Sequence, residues 1–88
     1  MHAGSIDNPD TAAHRVYTVL KALDGNWIGG WDLTIRSQAS AMSTRVSEIR
    51  KQLEREPDRG EAVESEQRGT KWFYRIVKVT KGQQLLAV

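Results

Sequence analysis

No cysteine occurs anywhere in this chain, so packing alone must hold its 88 residues together. Disulfides and thiolate-rich zinc sites are both excluded. A chain of this length supports a single core, because either half would fall below the size that stands without staples. Composition agrees, since 39% hydrophobic and 27% charged residues with 2 prolines belong to a chain that folds. No apolar run approaches the roughly 20 residues of a membrane helix. Met1-His2-Ala3-Gly4-Ser5 lacks the apolar stretch of a signal peptide. These features predict a soluble, cytoplasmic domain without a membrane partner.

Apolar residues first recur at helical spacing and later alternate, which predicts an α+β fold. Asn8-Pro9-Asp10-Thr11 carries a helix start signal, with Asn8 as cap and Pro9 in the first turn. Residues 1–7 are expected to stay loose ahead of a domain over 8–79, with 80–88 as a tail. Ala13, Val16, Tyr17, Leu20 and Leu23 share one face of a first helix that ends at Asp24-Gly25. Asn26 to Gly29 suits a turn or a very short strand. Gly29-Gly30 then breaks the chain before a short helix from Trp31 to Ser37, with Leu33 as its core residue.

The third helix has the clearest pattern. Met42, Val46, Ile49 and Leu53 recur at spacings of four, three and four and form one apolar stripe. Ser40 or Ser43 can cap its start. Ser40, Thr44, Ser47 and Lys51 lie opposite the stripe, with Glu48 and Arg55 beside them and Arg45 and Arg50 on its shoulders. Pro57, Asp58 and Gly60 end the helix. Ala62 to Ser65 and Lys71 to Val79 read as strands, joined by a hairpin tip over Glu66 to Thr70. In the second strand Trp72, Tyr74 and Ile76 share one face, and Phe73, Arg75 and Val77 the other.

Net charge is only +2, yet its distribution is polarised. Residues 56–66 set five acids against Arg59, a balance of −4, and residues 67–88 carry five bases and no acid. Glu61, Glu64 and Glu66 read as a solvated strand edge. His2 and His14 have no Cys, second nearby His or acid at ligand spacing, so no metal is expected; His14 reads as a surface group. One thin core leaves little room for a pocket, so neither catalysis, a cofactor nor a small-molecule substrate is expected. Trp27, Trp31 and Trp72 are read as core anchors ahead of base-stacking residues.

The order helix, short strand, short helix, longer helix, hairpin resembles the small winged helix-turn-helix proteins of phages and mobile elements. The residues that carry the likeness are Asp24-Gly25-Asn26-Trp27-Ile28, Gly30-Trp31-Asp32-Leu33, Ser43-Thr44-Arg45-Val46-Ser47-Glu48-Ile49-Arg50-Lys51 and Tyr74-Arg75-Ile76. It spans about residues 10–79, and it departs from the family pattern in the longer, acidic stretch from Glu54 to Gly60. The resemblance implies three helices with a two- or three-stranded C-terminal wing, and a transcriptional regulator or recombination accessory protein bound to double-stranded DNA. It places the third helix in the major groove and the wing on the backbone or minor groove. The DNA-contacting residues are then Ser40, Ser43, Thr44, Arg45, Ser47, Arg50 and Lys51 on the helix, with Arg68 and Lys71 at the wing tip. Glu48 would repel phosphates unless it reads cytosine or pairs with Arg45 or Lys51, and the intrahelical pair is favoured. A protein-interaction module without DNA binding is the alternative, drawn from the low net charge, the acidic block and the apolar C-terminus; a homodimer stays open. RNA ranks third, because a helix suits the groove of B-form duplex better.

Overall fold

The computed structural model describes residues 6–79. Its elements run α1 (Ala12–Ala22), β1 (Ile28–Gly29), α2 (Gly30–Ser37), α3 (Met42–Arg55), a single 3-10 turn (Pro57–Arg59), β2 (Glu61–Arg68) and β3 (Lys71–Lys78). The strands form one antiparallel sheet in the order β1-β3-β2. This is an α+β architecture whose layout is compatible with a winged helix.

The apolar stripes meet in one core. Ala13, Val16 and Leu20 of α1, Leu33 of α2, and Val46, Ile49 and Leu53 of α3 are buried together with Ile28, Val63, Tyr74 and Ile76 of the sheet. Tyr17, Leu23 and Met42 pack against this cluster while half-buried. A fully buried aliphatic side chain contributes about 1.5 to 3 kcal/mol, so this shared cluster is the main source of cohesion.

The expected start of α1 at Asn8 moves to Thr11, whose hydroxyl accepts the N–H of His14 at 3.1 Å. Asn8 is already spent in its own turn, where its side-chain oxygen accepts the Asp10 N–H and its carbonyl accepts the Thr11 N–H, each at 3.0 Å. The helix also stops earlier than expected, at Ala22, and Asp24 and Gly25 follow with positive φ.

The boundary drawn between residues 7 and 8 falls too late. Ile6 is 1% exposed and belongs to the core. Its N–H donates to Gln52 Oε1 at 2.9 Å, and its carbonyl receives the His14 ring Nδ1 at 2.7 Å. A carbonyl can only accept, so Nδ1 carries the hydrogen, and His14 is a half-buried clamp where a surface group was expected. Asp7 adds a bond from Arg59 at 2.5 Å. Residues 1–5 and the tail 80–88 lie outside the described residues.

The hairpin is longer than its polarity suggests. β2 continues through Glu66, Gln67 and Arg68, leaving a two-residue turn at Gly69-Thr70. Gly69 supplies the positive φ, +66°, that tight hairpin turns need. At the other end, Gly60 has φ +64° and its carbonyl accepts the Val79 N–H at 2.8 Å. A Cβ there would stand 3.0 Å from the Val79 carbonyl oxygen, so a side chain at this position would strain the closure of the sheet.

Candidate nucleic-acid interface

α2 and α3 are joined by Gln38, Ala39, Ser40 and Ala41, a helix-turn-helix length of connection. Gln38 and Ala41 take left-handed φ of 55° and 53°, and Ala39, 4% exposed, plugs the corner into the core. Arg15 reaches across from α1, its Nε donating to the Ser37 carbonyl at 3.0 Å and its Nη2 to Gln38 at 3.3 Å. These bonds satisfy carbonyls that end α2 and fix the angle at which α3 leaves.

Ala41 caps α3 without a side-chain bond, so neither Ser40 nor Ser43 does so. Ser40 lies in the turn, exposed, one residue before the cap and off the helical face on which it was expected. The exposed Ser43 lies one turn before Val46 and lines a cleft with it, Arg50, Trp72 and Tyr74, whereas Thr44 and Lys51 are exposed and Ser47 is half-buried on the side of α3 away from its buried residues. Arg55 continues this side into the last turn, and Glu54 flanks it.

The two shoulder arginines are drawn elsewhere. Arg45 Nε stands 3.3 Å from Glu48 Oε1 in a half-buried intrahelical ion pair, which confirms the preferred role of Glu48. The pair is poorly aligned, for neither atom completes a hydrogen bond. Arg50 Nη2 donates to Ser65 Oγ at 3.2 Å, bridging α3 to β2 over an open cleft that Trp72 and Tyr74 also line. Burial pushes the Tyr74 hydroxyl above its usual range, and the nearby Arg50 charge works against this.

On the sheet, register converts a charge polarised along the chain into pairs interleaved in space. Glu64 lies opposite Arg75 and bonds it at 2.7 Å, while Glu66 bonds Arg68 within β2. Arg68 and Arg75 both stack over the Trp27 ring, at 5.5 and 4.4 Å, and Arg68 also covers Phe73 at 4.6 Å. Glu61 is not a solvated carboxylate. Its side chain is 8% exposed and takes the Tyr17 hydroxyl at 2.5 Å and the Lys21 ammonium. Burial works to raise the Glu61 carboxyl, but bonds from Lys21 and Tyr17 overcome it and hold the group below the usual carboxylate range. The Tyr17 hydroxyl is pushed up to about 12 by burial and by that bond. Arg59 and Gln52 hold Glu56 below its ordinary value.

Lys71 faces Arg68 across the turn, so both do sit at the hairpin tip. Arg68 is held by its carboxylate and two rings. Lys71 is exposed and forms no ion pair with another described residue. Thus Thr44, Ser47, Lys51 and Arg55 on the outer side of α3 and Lys71 at the hairpin tip form the accessible polar set; Ser40 is exposed in the turn, Ser43 in the cleft beside Trp72, and Arg45, Arg50 and Arg68 are engaged in the fold.

None of the three tryptophans belongs to the core cluster in which they were expected: Trp27 is half-buried beneath Arg68 and Arg75, and the other two are exposed. Trp31 is 77% exposed and Trp72 46%, and Ile35 of α2 is 56% exposed. Nothing in the pattern of apolar residues distinguishes them from buried aromatics. The described residues gather no group of three His, Cys, Asp or Glu able to hold a metal ion, and no helix among them is long and apolar enough to cross a membrane. No family model matches the chain, and no curated protein or solved structure matches it.

Proposed function

We propose that this chain is a double-stranded DNA-binding module of the winged-helix kind, with α3 in the major groove and the β2–β3 hairpin as a wing on the adjacent backbone. The observation that carries this reading is the outer side of α3. Thr44, Ser47, Lys51 and Arg55 lie together there, exposed or half-exposed, with Lys51 and Arg55 in no ion pair with another described residue, on a helix that follows a four-residue turn. Short hydroxyl side chains let a helix approach base edges closely, and the two cations at its C-terminal end suit phosphates. Lys71 at the hairpin tip adds a third cation. A regulator or recombination accessory protein would use such a module.

Salt titration of duplex binding tests this. With about three phosphates neutralised, log K should fall with log salt at a slope of about −3. Binding that is salt-independent would contradict the reading. A second reading, a protein-interaction module, is favoured by the internal neutralisation of Arg59, Arg68 and Arg75, which lowers the field available to DNA.

A further inference from the structure

α2 carries an exposed pattern that repeats once with opposite charge. Trp31 and Asp32 are followed one turn later by Ile35 and Arg36, and all four are exposed. Neither Asp32 nor Arg36 forms an ion pair with another described residue. Trp72 extends the apolar side of this pattern, since it and Trp31 line one open cleft of about 490 Å³.

From their exposures, Trp31, Ile35 and Trp72 present roughly 400 Å² of apolar surface. That is the size of the largest apolar patch on many small proteins, and such a patch is often a functional surface. It is also about half of the ~800 Å² that each partner contributes to a stable interface, leaving the polar rim to supply the remainder.

We infer that this patch is the interface of a two-fold homodimer in which the α2 helices of two copies pack antiparallel. A two-fold axis running between the two helices, perpendicular to them and level with the point midway between Asp32 and Ile35, sets Trp31 and Ile35 of one copy against Ile35 and Trp31 of the other. The same operation brings Asp32 beside Arg36 twice, because paired positions then differ by about one residue's rise, ~1.5 Å. The face is complementary to itself in charge, and it pairs apolar side chains with apolar ones. A partner of uniform charge would leave one of the two groups facing a like charge.

The test is sedimentation of the full chain over a range of about 10 to 500 μM, with two charge reversals, Asp32→Arg and Arg36→Asp. All four side chains are exposed, so circular dichroism should show both variants folded. The parent should dimerise with concentration, and each reversal alone should weaken dimerisation about tenfold or more, because like charges then meet across the axis. An equimolar mixture of the two variants should recover a 1:1 dimer, since one copy then carries two cations and the other two anions. A parent that stays monomeric throughout the range overturns the inference, as does a dimer indifferent to both reversals or a mixture that fails to associate. A monomeric parent whose duplex binding weakens on Trp31→Ala assigns the patch to DNA instead.

Discussion

Gln52 Oε1 accepts the backbone N–H of Ile6 at 2.9 Å, joining the penultimate turn of α3 to the segment ahead of α1 across 46 positions of sequence. The other end of the same carboxamide donates to Glu56 at 3.0 Å and Asp7 at 3.3 Å. One neutral side chain therefore closes the N-terminal segment over the helix that carries the candidate interface. Replacing it with Leu leaves the buried Ile6 N–H without a partner. Gln52→Leu should cost about 1 to 3 kcal/mol, read as a lower denaturation midpoint.

Ile49 is 0% exposed at the centre of α3. Truncation there removes packing on all sides and leaves a cavity in a domain with little stability to spare. Ile49→Ala should lose about 2 to 5 kcal/mol by chemical denaturation. An unchanged midpoint would show that the stripe is not the core face.

The helical stripes were legible because apolar residues at three and four spacing have one efficient way to be buried. Other features obey rules the local pattern does not carry. Gln52 has the residue type of a surface position, and its burial depends on a partner, Ile6, that is remote in sequence. Asn8 and Thr11 are both competent caps, and the choice turned on Asn8 closing its own turn first. Glu66, Gln67 and Arg68 do not alternate in polarity because the outer hairpin is exposed on both faces, so nothing apolar marks them as strand. On α3, the helical period placed Thr44, Ser47 and Lys51 on the side away from the core, where the structure has them. It could not show that Arg45, Arg50 and Arg68 are engaged by Glu48, Ser65 and Glu66.

Acid should unfold the domain partly through Glu61. Its carboxyl is held below the ordinary value of 4.5 in the folded chain, so its contribution is complete above that value and is lost as pH falls through the folded pKa. Glu61→Gln should flatten the loss of stability below pH 4.5. It should also cost about 1 to 2 kcal/mol near neutrality, because the charged acceptor for Tyr17 and Lys21 is gone. Equal acid limbs for parent and variant in pH-dependent denaturation would remove Glu61 from this role.

At the hairpin tip, Lys71 and Arg68 should separate in their effects. Lys71→Ala should weaken duplex binding for all sequences alike and reduce the salt slope by about 1, with stability unchanged. Arg68→Ala should instead lower stability by about 0.5 to 1 kcal/mol through the lost stacking on Trp27 and Phe73. Paired binding and denaturation measurements on the two variants distinguish these outcomes.

The most direct test of the proposed function is the affinity of the parent and of Lys51→Ala for duplex DNA across a salt titration beginning at about 50 mM, the low end of the range where counterion release is read. Lys51 is exposed on the side of α3 away from the core, so its loss should leave stability within about 0.5 kcal/mol. The account predicts that the parent binds, and that the variant binds more weakly with a salt slope shallower by about 1 if Lys51 meets a phosphate, or loses about 1 to 3 kcal/mol at one base pair if it meets a guanine. A parent that shows no duplex binding at the lowest salt, or a variant indistinguishable from it in affinity, slope and base preference, would contradict it.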